Sequence, residues 1–272
     1  MSEVRAKKYL GQHFLTDESV AERIASSLGL TAPAPVLEIG PGMGVLTRHL
    51  MLNPLIDLTA VEIDPESVSY LRTHYPTLRL IEGDFLKMDL KALYGDSPFM
   101  VIGNYPYNIS SQIFFKVLEY RDQIPVCAGM IQKEVAERIA APHGSKTYGI
   151  TSALLQAFYD IEYLFTVHEH VFNPPPKVKS AVIRMTRNST HDLGCDERLF
   201  IRVVKTAFNQ RRKTLRNSLK PMMQGREMAE SVFGLRPEQI SVKGFIDLTN
   251  LVQEILSQPP SRPALPADTA LC

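Results

Sequence analysis

Four consecutive residues, Asn104-Tyr105-Pro106-Tyr107, carry the densest chemistry in the chain. They close a short apolar run, FMVIGN at 99–104, that reads as a strand. A carboxamide oxygen accepts hydrogen bonds, and a carbonyl beside a proline is presented at a set angle because the ring locks φ. Two such acceptors suit a group that offers two N–H hydrogens. Asn104 and the Pro106-flanking carbonyl of Tyr105 are the candidate acceptors. The Tyr107 ring can stack on another flat ring. The plainer alternative is a strand ending in a proline turn with two surface tyrosines.

A second stretch, Gly40-Pro41-Gly42-Met43-Gly44, follows the run VLEI and precedes the helical pattern VLTRHL. Alternating glycines permit a tight strand-to-helix turn and close approach of a ligand. A dinucleotide fingerprint would need a third small residue at position 45, where Val45 stands, and Pro41 stiffens the loop. Glu38-Ile39-Gly40-Pro41-Gly42-Met43-Gly44 instead resembles the E/D-x-G-x-G pattern of S-adenosylmethionine-dependent methyltransferases. Glu62 closes the next strand-like run and can accept from two ribose hydroxyls, a feature shared by both ligand classes. Asp84, in EGDF, closes the third run and can accept from an adenine amino group. Asn104-Tyr105-Pro106-Tyr107 in turn resembles the N-P-P-Y and N-L-P-Y motifs of enzymes that methylate the exocyclic amino group of adenine. The resemblance implies that the two acceptors draw on that group's two hydrogens, push the nitrogen towards tetrahedral geometry and localise a lone pair otherwise spread into the ring. It implies too that Tyr107 stacks on the adenine, worth roughly 1–3 kcal/mol per base. The donor's sulfonium is already an activated leaving group. In-line positioning therefore does most of the work, and no perturbed general base is required.

Two further segments point to a polyanion. Val171 to Ser180 reads VFNPPPKVKS, a stiff extended loop in which Phe172 can cover the second face of a flipped base while Lys177 and Lys179 meet phosphate. Its bland alternative is a rigid connector with Phe172 in the core. Arg198 to Arg226 holds nine Lys/Arg and no acid, including Arg211, Arg212, Lys213 and Arg216. The whole chain carries only +1, so this clustering makes one local basic face. Ser145–Gly149 can add contacts.

The elements that must hold these groups follow from periodicity. Apolar runs at 35–40, 57–64, 78–84, 99–104 and 125–132 alternate with helical patterns, and 161–167 and 180–186 read as further strands. This alternation predicts a mostly parallel sheet covered by helices, class α/β. Asp17 or Thr16 can cap a helix carrying Val20, Ile24 and Leu28. From about 190 the patterns at 198–208, 227–233 and 248–256 are helical. The predicted organisation is a catalytic domain over 1–188 with a leader at 1–15, a small basic helical domain over 189–256, and a proline-rich disordered tail over 257–272.

The chain has 272 residues, 44% hydrophobic and 22% charged, an ordinary globular balance with length for a sizeable core. Cys127, Cys195 and Cys272 lie far apart, so neither a disulfide scaffold nor a metal site is expected, in keeping with a reducing cytosol. No secretory signal or membrane span is expected.

Taken in order, these segments resemble the ribosomal RNA adenine dimethyltransferase family, and its bacterial small-subunit branch in particular. The resemblance reaches to about residue 256. It rests on Lys8–Leu15 (KYLGQHFL), Glu38–Thr47, Asn104–Tyr107, Gln132–Arg138 (QKEVAER), Phe172–Ser180 and Phe208–Lys213 (FNQRRK). It implies a Rossmann-like methyltransferase domain with a seven-stranded sheet and an all-α C-terminal domain. It implies N6,N6-dimethylation of two adjacent adenosines in the 3′-terminal hairpin loop of small-subunit rRNA, late in subunit assembly. The partner implied is the assembling small ribosomal subunit, and a cytoplasmic monomer is expected. Carried over by position, the S-adenosylmethionine site comprises His13 and Leu15 from the leader, Gly40 and Gly42 from the loop, Glu62 with Ile63, Asp84 with Phe85, and Asn104. Asn104, Pro106, Tyr107 and Phe172 take the target base. Tyr105 departs from the commoner Leu. Alternatives are a large-subunit rRNA dimethyltransferase, a DNA adenine methyltransferase, and an RNA-binding assembly factor with a vestigial site.

Overall fold

A computed structural model describes residues 4–259. The chain forms two compact units. The first comprises residues up to 141 together with 158–190. The second comprises 142–157 and the residues from 191 onward.

The first unit is built on a seven-stranded sheet. Its strands are β2 (Ala34–Ile39), β3 (Ile56–Glu62), β4 (Arg79–Glu82), β5 (Met100–Asn104), β6 (Val126–Gln132), β7 (Tyr159–Val167) and β9 (Ser180–Arg187), in spatial order 4-3-2-5-6-9-7. The pairs β2–β3, β3–β4, β2–β5 and β5–β6 are parallel, and β9 runs antiparallel to both β6 and β7. The central strands are buried because helices cover both faces, which is why they read as unbroken apolar runs. A separate two-residue pair joins β1 (Phe14–Leu15) to β8 (Phe172–Asn173), with Leu15 opposite Phe172. This pairing ties the leader to the proline-rich loop.

Chain order reverses between β2 and β5. That makes a crevice at the carboxyl ends of these strands, the place where open α/β sheets take ligands. The helices that follow the strands start where the sequence provides caps. Asp17 accepts from the amides of Ser19 and Val20 to open α1 (Glu18–Ser26). Asp64 caps α3 (Pro65–His74), whose first residue is the proline suited to that place. α2 (Val45–Leu52) follows the glycine loop, α4 (Leu90–Tyr94) precedes β5, and α5 (Ser110–Glu119) opens directly after Asn104–Tyr107. α6 (Lys133–Ala140) follows β6.

In the second unit, α7 (Ile150–Gln156), α8 (Glu197–Asn209), α9 (Leu215–Met223) and α10 (Val242–Ser257) pack around Phe200, Val204, Phe208, Phe233, Phe245 and Val252. Residues 142–157 belong with these helices, whereas the sequence reading placed them in the first domain. The predicted helix at 227–233 is also corrected: only a 3-10 turn, Ser231–Gly234, forms there. The Met228 carbonyl accepts from Arg216, and the Leu235 carbonyl accepts from the Leu215 amide at 2.8 Å. Backbone groups in and beside that stretch therefore bond to α9 rather than within a helix. Of the predicted disordered tail, residues 260–272 lie outside the described residues. No helix among the described residues is long and apolar enough to cross a membrane.

Candidate active site

A cavity of about 300 Å³ opens at the β2/β5 switch point, entirely within the first unit. The glycine loop forms its floor. Gly42 and Gly44 have φ of +58° and +83°, conformations that side chains strain to adopt. A Cβ on Gly44 would lie 2.4 Å from the Tyr75 ring, and one on Gly42 would lie 3.0 Å from Phe14. The Tyr75 hydroxyl donates to the Gly44 carbonyl at 3.1 Å, pinning the loop from behind. A Cβ position on Gly40, which lines the cavity, meets no atom within 4 Å, so a ligand can approach the backbone there.

Glu62 staples this loop to the end of β3. It accepts from the Gly42 amide at 3.0 Å and from the Ile63 and Asp64 amides at 2.9 Å each. Burial pushes its carboxyl pKa above the usual range, and these three N–H groups pull the other way. A carboxylate has about four acceptor positions, so roughly one is left to face the cavity. Asp84 caps a 3-10 turn, Phe85–Lys87, by accepting from the Leu86 amide at 3.0 Å, and pairs with Lys87 at 3.3 Å. The buried Lys116 amine holds the far side of that turn by donating to the Leu86 and Met88 carbonyls, at 3.0 and 2.5 Å.

The opposite wall is the Asn104–Tyr107 turn. The Asn104 amide nitrogen donates to the His13 carbonyl at 3.2 Å, and its Oδ1 meets no donor among the described residues. The Pro106 carbonyl accepts from the Ile109 amide at 3.2 Å and the Tyr107 carbonyl from the Ser110 hydroxyl at 3.4 Å. The Tyr105 carbonyl accepts nothing among the described residues. Two free acceptors thus sit on adjacent residues of the cavity wall. Tyr107 lies against the His13 imidazole, with ring centroids 5.3 Å apart, and its hydroxyl bonds the Ser180 hydroxyl at 2.5 Å. His13 Nδ1 meets the Pro174 carbonyl at 2.8 Å. Since a carbonyl only accepts, that nitrogen carries the proton.

His13, Leu15, Gly40, Gly42, Glu62, Ile63, Asp84, Phe85, Asn104, Pro106 and Tyr107 all line this one cavity. Phe172 does not, and its reading is corrected. Its side chain is 4% exposed and packs in the core with Leu15, Val20 and Val171. Pairing of β8 with β1 turns it inward, the connector alternative. The sequence reading also passed over Glu38 as a site residue. This buried carboxyl lines the cavity, and its Oε2, like the Thr47 hydroxyl, finds no hydrogen bond of good geometry. Burial pushes its pKa up to about 8; Thr47 opposes the shift and the Glu62 charge adds to it. Its place in E-x-G-x-G was the available signal.

The basic residues divide into two kinds. Lys177 and Lys179 are exposed in the proline-rich loop of the first unit. In the second unit, the Arg211 guanidinium donates to the Lys146 carbonyl and, at 3.0 Å, to the Tyr148 carbonyl, and Arg216 donates to that of Met228. These two arginines hold loops. Arg212 and Lys213 are exposed, and their side chains pair with nothing among the described residues.

Solved structures share this fold. The fold matches a dimethyladenosine transferase from Plasmodium falciparum at a TM-score of 0.73 and 24% identity, over 89% of this chain and 98% of that one. It matches the 23S rRNA methyltransferase ErmE at 0.65 and 25% identity, over 87% and 99%. The class is a Rossmann-like methyltransferase. In sequence, the family described as Ribosomal RNA adenine dimethylase matches residues 3–256. A Bacteroides thetaiotaomicron protein named Ribosomal RNA small subunit methyltransferase A is 62% identical over 261 residues, 94% of this chain and 97% of its own length. A Flavobacterium johnsoniae protein of the same name is 58% identical, over 93% and 98%. The chain belongs to the ribosomal RNA adenine dimethylase family.

Proposed function

We propose that this protein transfers methyl groups from S-adenosylmethionine to the N6 nitrogens of two adjacent adenosines in the 3′-terminal loop of small-subunit rRNA, acting as a cytoplasmic monomer on the assembling subunit. The observation that carries the reading is the pair of unspent acceptors, Asn104 Oδ1 and the Tyr105 carbonyl, on the wall of a cavity whose other walls suit the donor. Bound S-adenosylmethionine would supply a methyl group on a sulfonium, which needs no further activation.

The residues present fit that donor. Glu62 offers its remaining acceptor position to ribose hydroxyls. Asp84 and Phe85 form the turn suited to an adenine, and the orphaned Glu38 oxygen marks a polar floor. The open approach at Gly40 admits a ligand against the backbone. Asn104 and Tyr105 take the two hydrogens of the target amino group, so that its lone pair points along the transfer direction. Tyr107 offers the ring face away from His13 to the base. Extrusion of the base from its loop costs little where the strand is already unpaired. Lys177 and Lys179 in one unit and Arg212 and Lys213 in the other supply phosphate contacts.

The decisive experiment is transfer from labelled S-adenosylmethionine to small subunits of a strain lacking the modification, followed by nucleoside mass analysis. Dimethyladenosine at two adjacent positions supports the proposal. Tight particle binding without transfer would favour an assembly factor, and transfer to naked large-subunit rRNA would favour a 23S rRNA methyltransferase of the ErmE kind.

A further inference from the structure

Tyr105 stands where the related N-L-P-Y motif has leucine, and its ring goes into the core rather than the cavity. It is 1% exposed. The ring lies where β5 and β6 are both glycine: Cβ atoms built on Gly103 and Gly129 would come within 2.9 and 2.6 Å of it. Those glycines also serve close backbone approach, since the same Cβ atoms would meet the Ile39 and Gly103 carbonyls at 2.6 and 2.3 Å. The ring fills the resulting slot and meets Phe114 of α5 edge-on, with centroids 5.6 Å apart. At its far end the hydroxyl donates to the Ala128 carbonyl at 2.7 Å and lies 3.3 Å from Cys127 Sγ. Burial raises the pKa of both groups, so neither ionises near neutrality. The Tyr105 amide meanwhile donates to the Met130 carbonyl at 3.0 Å.

One residue is thus tied to β6 at its amide and at the tip of its side chain, while its carbonyl accepts from no donor among the described residues. We infer that the Tyr105 side chain is a positioning residue: its anchor on Ala128 fixes the peptide whose carbonyl, beside Asn104 Oδ1, takes a hydrogen of the target amino group. A leucine there would fill part of the slot but could not reach the Ala128 carbonyl. A turn free to rock changes the angle of the acceptor without changing the donor's walls. The effect therefore falls on the transfer step and not on donor affinity. This inference rests on the proposed reaction.

The test compares wild type with Tyr105→Phe and Tyr105→Leu. Single-turnover methyl transfer and calorimetric S-adenosylmethionine affinity are measured on each, at a temperature where circular dichroism shows every protein folded. Tyr105→Phe keeps the packing and removes only the anchor. It is expected to slow transfer about fivefold, the rate equivalent of one neutral hydrogen bond, with donor Kd unchanged. Tyr105→Leu is expected to slow it by an order of magnitude or more, again at unchanged Kd. Wild-type rates in both variants would overturn the inference, as would rate and donor affinity falling together, which marks general deformation. If Tyr105→Leu does not fold, Tyr105→Phe alone decides. A wild-type protein that transfers no methyl group refutes the reaction itself, a result separable from either variant outcome.

Discussion

Replacing Glu38 by glutamine keeps the volume of the side chain but makes it neutral at every pH. In the wild type, burial holds this carboxyl's pKa at about 8, against an ordinary value near 4.5. Between those two values the folded protein retains a proton that the unfolded chain has released. Unfolding free energy therefore falls as pH rises, by up to about 1.4 kcal/mol per pH unit for this one group. The sign follows from the direction of the shift. Glu38 contributes its full stability below pH 4.5, and loses it as pH climbs through 8. From pH 5 to pH 8 the loss is on the order of 4 kcal/mol, a large share of a typical folding stability. Glu38→Gln removes this slope, while Glu62 titrates in both proteins and largely cancels from the difference. The chain has no Trp, so urea unfolding is best followed by far-ultraviolet circular dichroism at several pH values between 5 and 8. Wild type and variant curves are expected to diverge steadily with rising pH, the variant gaining. Parallel curves would show that the carboxylate is ionised in the folded protein, and would refute a desolvated, unpaired group under the glycine loop.

Asn104→Ala should lower the single-turnover transfer rate by roughly 10²–10³, as expected when one preorganised hydrogen bond to the reacting group is removed. Particle binding, followed by filter retention, should stay nearly intact, and a variant that stays active would sink the assigned role. Lys116→Met strands two carbonyls beneath the 85–87 turn and should destabilise the protein by about 2–4 kcal/mol. It should also weaken S-adenosylmethionine binding at least tenfold by calorimetry; an unchanged melting temperature would show that the amine is not holding the turn. Joint charge reversal at Arg212 and Lys213 should reduce RNA affinity with donor affinity intact. It should also flatten the logarithmic salt dependence of RNA binding by about 0.9 for each phosphate that the protein no longer neutralises. Reversal at Arg211 alone should instead lower thermal stability, because that guanidinium is committed to the 146–148 loop.

Much of the architecture was legible because the physics that writes it is local and periodic. Parallel strands buried on both faces must be apolar throughout, so β2, β3, β5 and β6 stand out at once. The ends of β2, β3 and β5, with that of the edge strand β4, then carry Gly40, Glu62, Asn104 and Asp84 to one rim. What escaped depends on contacts distant in sequence. Nothing within 227–233 reveals that Met228 and Leu235 will lend their carbonyls to α9. Phe172 sits among prolines and lysines, a setting equally good for gripping a base or for filling the core. Only its pairing with Leu15, more than 150 residues away, decides for the core. Likewise a run of nine basic residues reads as one surface, yet Arg211 and Arg216 donate to backbone carbonyls and hold loops, while the side chains of Arg212 and Lys213 between them pair with nothing among the described residues.

The leader shows how far such long-range contacts reach into the chemistry. An asparagine amide has a donating end and an accepting end of nearly the same shape, and an amino group needs the accepting end. At Asn104 the choice is made by the His13 carbonyl, which can only accept and so claims the NH2 group. The leader is itself fastened at several places. Lys7 pairs with the buried Asp64, Gln12 donates to the same carboxylate at 3.1 Å, and β1 pairs with β8. Asp64 meanwhile caps α3 and lies two residues after Glu62, the staple of the glycine loop. A leader detached from Asp64 would loosen the wall of the cavity proposed for the donor. It would also free the Asn104 amide to turn its hydrogens towards those of the substrate, donor against donor. The polar leader therefore belongs to the same constellation as Asn104–Tyr107, joined to it through a backbone carbonyl.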